Sequence, residues 1–205
     1  MQQATADQAF TNAKAAGDVA GMTAALIYRA LERNSGSVGA VSDLCTSIQA
    51  VNPEIAALQQ HQDPASDGAA ELNKSIVLEL ARQIASIGGD PQEALKSGTF
   101  APGQIGDPTA AGNTCDEADD PVGCIFTKNL IVNDASAEEI DAAVAEAGVG
   151  GAVAAAGAGV GAAAAGGAVA GKAKGAGKKS RKGRKSKKAK KAKQAKRSTT
   201  FAKTA

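Results

Sequence analysis

Apolar positions recur at helical spacing through most of the first 147 residues and then stop. Asp18 is followed by apolar residues at Met22, Leu26, Ile27, Ala30 and Leu31, with Gly36 beyond them. This predicts a helix that Asp18 caps and that closes before Gly36. Val38, Val41, Leu44, Cys45 and Ile48 continue the same period to Asn52. Pro53 then opens a short helix, PEIAALQQH, at the first helical position, where the missing N–H costs nothing. The strongest pattern covers residues 69–87, where Leu72, Ile76, Val77, Leu80, Ile84 and Ile87 make one stripe that ends at Gly88-Gly89. Asp90-Pro91-Gln92-Glu93 starts a further short helix, and no element is assigned before Asp18.

From Gly98 to Pro121 the periodicity is lost among Pro102, Pro108, Pro121 and several glycines, which predicts a long surface loop. The run CIFTKNLIV at 124–132 is β-branched and aromatic, and fits one strand or a buried helical turn equally well. Ser136 and Glu139 have the spacing of a capping box at the head of a last amphipathic helix through Ala147. The fold class expected is mostly α: a small helical domain with a long loop over residues 1–146, a Gly/Ala linker over 147–171 and a disordered basic tail over 172–205.

The chain of 205 residues has 4 Phe, 1 Tyr and no Trp, so the core must be built from Leu, Ile, Val and Ala. After Ile140 the only Leu, Ile or Phe is Phe201. Residues 147–171 are 12 Ala, 9 Gly and 4 Val. They are long enough to span a bilayer, and the Gly157/Gly161 and Gly167/Gly171 spacings suit helix packing. However, each glycine costs about 1 kcal/mol of helix propensity, so a flexible linker is expected and a transmembrane span is not.

Charge divides the chain. Residues 1–146 hold 7 Lys+Arg against 21 Asp+Glu, net −14, while residues 172–205 hold 16 Lys+Arg and no acid, net +16. The densest part is Lys178, Lys179, Arg181, Lys182, Arg184, Lys185, Lys187, Lys188, Lys190, Lys191, Lys193, Lys196 and Arg197. These thirteen side chains are the expected polyanion-binding residues. They fall on every side of any helix drawn through them, which argues against an amphipathic membrane helix. No aromatic is interleaved among them, so contact with phosphate or another anion without base stacking is expected. The Lys/Ala repetition resembles in composition the tail of a linker histone, and a short basic run can also act as a nuclear localisation signal. At low salt the acidic body is expected to compete for the arm.

Candidate chemistry is sparse. Cys115 and Cys124 bracket DEADDPVG, a turn-rich loop across which a disulfide is easy to close; two free thiols would be the cytosolic alternative. Cys45, on the apolar side of the 38–52 pattern, is expected to be a reduced, buried small hydrophobe. Asp116, Glu117, Asp119 and Asp120 lack the spacing and central glycine of an EF-hand and are expected to be a solvated loop, not a metal site. The single histidine, His61, has no nucleophile near it in sequence, so no histidine-based catalytic triad, zinc site or other cofactor site is expected. The sequon Asn73-Lys74-Ser75 lies inside a predicted helix, which disfavours glycosylation. The N-terminus MQQATADQAF is polar and has no leader-like apolar segment. It fits either a cytosolic or nuclear protein or a mature secreted chain whose leader is replaced by a start Met.

The stretches ALIYRALERNSGSVG (25–39) and GDPTAAGNTCDEADDPVGCIFTKNLIVNDASAEEIDAAV (106–144) resemble small secreted proteins of the cell wall and spore surface of filamentous ascomycete fungi. The resemblance covers the body alone. It implies a removed signal peptide, an oxidised cysteine pair and a non-enzymatic role at the surface, in host contact or virulence. Two functions are therefore expected: a secreted wall protein held to acidic glycans by its arm, or a nucleus-targeted protein whose arm binds nucleic acid.

Overall fold

The computed structural model describes residues 1–33, 35–44 and 46–149. Among these it is helical: α1 (Gln2–Ala16), α2 (Val19–Ala30), α3 (Pro53–Ala56), α4 (Ala69–Ser86), a 3-10 helix (Pro91–Ser97), α5 (Cys124–Thr127) and α6 (Ala137–Ala147). The expectations for Cys45, for the linker beyond Val149 and for the basic arm lie outside the described residues. Among the described residues no helix is long and apolar enough to cross a membrane.

Local chemistry fixes the helix ends. Asp18 caps α2 by accepting the Gly21 amide at 2.9 Å, and Asp90 accepts the Gln92 amide at 3.0 Å ahead of Pro91. Ser136 and Glu139 form the reciprocal capping box, each side chain taking the other's amide, at 3.3 and 2.9 Å. Helix α1 ends at Gly17, whose φ of 67° lets its amide return to the Ala13 and Lys14 carbonyls. At Gly89 a Cβ would come within 2.8 Å of both Ile84 Cγ2 and Thr23 Oγ1, so only glycine lets the end of α4 lie against α2.

One apolar cluster joins these elements. Phe10 and Ala6 of α1, Leu26 and Ala30 of α2, Ile55, Ile76, Val77, Leu80 and Ile84 of α4, and Ile140 and Val144 of α6 are buried together. The α4 stripe expected from sequence faces this core, with Leu72 and Ile87 packed at its margin. Phe10 is completely buried and supplies the one aromatic ring of the cluster.

Three expectations are corrected. Helix α1, unassigned from sequence, forms because Ala6 and Phe10 give it one small apolar face against α2. The 38–52 stretch is not helical among its described residues, and Val41, Leu44 and Ile48 are exposed. Its backbone is instead captured by side chains from elsewhere: Asp7 takes the Val51 and Asn52 amides at 2.7 and 3.0 Å, and Gln62 Oε1 takes the Ser42 amide at 2.7 Å. The helices begun at Asp18 and Pro53 are also shorter than expected, ending at Ala30 and Ala56. The 124–132 run resolves into the single turn of α5 and an isolated antiparallel bridge, in which the Val132 amide donates to the Thr99 carbonyl at 2.8 Å.

Candidate functional site: a carboxyl-lined cleft and a buried histidine

The chain between α3 and α4 carries the run Gln60-His61-Gln62-Asp63, polar residues that would ordinarily face water. The first three are almost wholly buried, at 2, 0 and 4% exposure. Each is matched with a partner. Gln60 accepts from Arg29 Nη1 at 3.3 Å and donates to the Asp43 carbonyl at 3.2 Å. The Gln62 amide donates to Asn73 Oδ1 of α4 at 2.9 Å, and Asn73 Nδ2 returns a bond to the Gln62 carbonyl at 3.0 Å. Asn73 is completely buried in this exchange, so the sequon it begins offers no accessible acceptor.

His61 stands at the centre. The Ala30 carbonyl, at the end of α2, receives both the His61 amide at 2.8 Å and ring Nδ1 at 2.6 Å. A carbonyl only accepts, so Nδ1 carries the proton and in the neutral ring Nε2 is a bare lone pair. Nε2 lies 3.7 Å from Asp134 Oδ2, and both atoms are buried without a hydrogen-bond partner. Burial pushes the His61 pKa down, with the Ala30 bond opposing, so the ring favours its neutral form. Burial pushes Asp134 up to about 6 against the opposing bond from Asn73.

Two residues after Ala30, Glu32 lines a cleft of about 690 Å³ together with Arg33, Val38, Asp63, Phe100 and Asp116. Its carboxyl is raised to about 7, first by burial and then by the charges of Asp63 and Asp134. The cleft therefore holds a carboxyl that exchanges its proton near neutrality. Its chemistry is proton exchange and hydrogen bonding, and the nearby imidazole is engaged in tying α2 to the 60–63 turn.

The far wall of the cleft belongs to the 100–116 loop, and the predicted disulfide secures the end of that loop. Cys115 and Cys124 are bonded, with an S–S distance of 2.05 Å and Cα atoms 6.1 Å apart. Between them the acidic residues are used locally: Asp120 accepts from the Val122 and Gly123 amides and the Thr127 hydroxyl, and Glu117 pairs with Lys128. Among the described residues no group of three or more His, Cys, Asp or Glu could hold a metal ion. A second, more apolar concavity of about 690 Å³ lies along α2, where Val19, Tyr28 and Phe126 are exposed.

The cysteine pair is the sequence-predicted site that the structure brings together. The thirteen basic residues from Lys178 to Arg197 lie outside the described residues. The polar cluster around His61 has no sequence motif, because its members come from residues 29–32, 60–63, 73 and 134. The one local signal is the unbroken polar run 59–63 where the chain passes between two core helices. No protein family, characterised protein or solved structure matches this chain.

Proposed function

We propose that this is a non-catalytic secreted surface protein that binds acidic polymers through residues 172–205, with the helical body as the carrier of that arm. The observation that carries the reading is the charge division: 16 Lys+Arg and no acid in the arm against a body of net −14. Cations at this density release counterions from any polyanion they meet, which favours binding without a shaped pocket. The Cys115–Cys124 bond supports an oxidising compartment over the cytosol or nucleus. The resemblance of residues 25–39 and 106–144 to fungal wall and spore-surface proteins points the same way, and makes acidic wall glycan the polymer of choice. The bond of His61 Nδ1 to the Ala30 carbonyl supports reading His61 as a structural residue.

The test replaces the thirteen basic residues from Lys178 to Arg197 with glutamine in the full-length chain and measures retention on polygalacturonate beads. Wild type is expected to be retained and the glutamine variant to pass through. Equal retention of both would place the binding site in the body and overturn the reading. Fractionation of cells that make the tagged protein tests the compartment. Accumulation in the nucleus would replace the surface role by nucleic-acid binding through the same arm.

A further inference from the structure

The wall of the cleft formed by residues 31–44 contains no helix or strand among its described residues. Side-chain bonds hold it to the 60–62 turn, Gln62 to the Ser42 amide at 2.7 Å and Gln60 to the Asp43 carbonyl at 3.2 Å, and Arg33 ties it to itself through the Asp43 carbonyl at 2.6 Å. Such a segment opens at low cost compared with the helices behind it. It enters the fold at Ala30, the residue that His61 grips twice, and carries Glu32 immediately afterwards.

The charges that act on Glu32 are acidic and come from two other segments. Asp63 comes from the turn after α3, Asp134 from the segment before α6, and Asp116 lines the same cleft from the disulfide loop. Arg33 is the basic neighbour, and its guanidinium is directed to the Asp43 carbonyl. Asp134 in turn meets the Asn73 side chain and the bare Nε2 of His61. Two buried acceptors 3.7 Å apart, Nε2 and Oδ2, repel unless one proton lies between them.

We propose that this cluster is a proton-operated latch. With protons on Glu32 and between His61 and Asp134 the 31–44 wall is held on the body, and their loss in alkaline solution releases it and widens the cleft. The pairing needs one proton because the Ala30 carbonyl fixes the proton of His61 on Nδ1, so only Asp134 or an imidazolium can bridge the gap. Glu32 needs another because its carboxyl is buried and its ionised form would meet the charge of Asp63 and, once its own proton is lost, of Asp134. The raised values of Glu32, about 7, and Asp134, about 6, put the release between mildly acidic and mildly alkaline solution.

Amide hydrogen exchange of the full-length protein tests the latch, with each rate divided by the intrinsic rate at the same pH. Protection of amides in 35–44 is expected to fall about tenfold between pH 5.5 and pH 8, while that of α4 stays level. Glu32→Gln removes one of the two titrations and is expected to make the fall in protection clearly smaller than in the wild type. Asp134→Asn, which offers His61 Nε2 a permanent amide donor, is expected to shrink the fall as well and decides the matter if the first variant does not fold. Protection in the wild type that does not change with pH, or that falls as far in both variants as in the wild type, overturns the proposal.

Discussion

Asp7 sits in α1 with its carboxylate turned to the chain that leads into α3, where it accepts from the Val51 amide, the Asn52 amide and Asn52 Nδ2 at 2.7, 3.0 and 2.7 Å. Burial pushes its pKa up, but the bonds from Val51 and Asn52 outweigh this and hold it below the ordinary carboxylate value. A depressed acid contributes stability that is present above the unfolded value of 3.8 and is lost as pH falls through the folded one. Glu32 and Asp134 have the opposite sign. Raised to about 7 and about 6, they contribute stability that is present below the unfolded values of 4.5 and 3.8 and is lost as pH rises through the folded ones. Replacing Asp7 by Ala leaves the Val51 and Asn52 amides without their acceptor, while Asn52 Nδ2 keeps Thr11 Oγ1 and the backbone carbonyl of residue 7, and is expected to cost about 2 kcal/mol at pH 7. Urea unfolding should show this loss, and it should shrink towards pH 3 as the wild type itself loses the carboxylate. An unchanged urea midpoint would mean that water replaces the carboxylate at no cost.

Helix α6 begins at the Ser136 capping box and delivers Ile140 and Val144 to the core against α4. Ser136→Ala removes the acceptor for the Glu139 amide and is expected to destabilise the body by about 1 kcal/mol, measured as a lower thermal midpoint. Ser136→Asp, which restores an acceptor, should recover most of it. Elements of this kind were legible in the sequence because cap, proline and stripe all lie within a few residues of one another. Asp18, Pro53, Asp90-Pro91 and the 69–87 stripe each opened or filled a helix where expected, and the short spacing of Cys115 and Cys124 foretold their bond. Helix α1 was not legible, because its buried face rests on Ala6 and Phe10 within an otherwise polar run. The 38–52 stretch misled for a different reason. Its apolar spacing is helical, but Asp7 and Gln62 claim its amides from 44 and 20 residues away. The His61 cluster was illegible by the same logic: a lone histidine acquires its properties from Ala30, Asn73 and Asp134, which only the fold brings near.

Across the whole molecule, the division of charge decides how binding should respond to salt. Fifteen cationic side chains and no aromatic between Lys172 and Arg197 can neutralise phosphates but cannot stack on bases or read their edges. If about ten of them contact a duplex, log K is expected to fall against log salt with a slope of about −9. Two duplexes of unrelated sequence should bind with affinities within about twofold of each other, since phosphate contacts carry no sequence information. An acidic glycan should show the same steep salt dependence, with a smaller slope where its charges are spaced more widely than those of DNA. The measurement is a fluorescence-anisotropy titration of the full-length chain with labelled duplexes and labelled polygalacturonate from about 50 to 300 mM salt, the range over which counterion release changes affinity most visibly. A slope near zero, or a strong preference for one duplex, would show that a shaped site in the helical body does the binding.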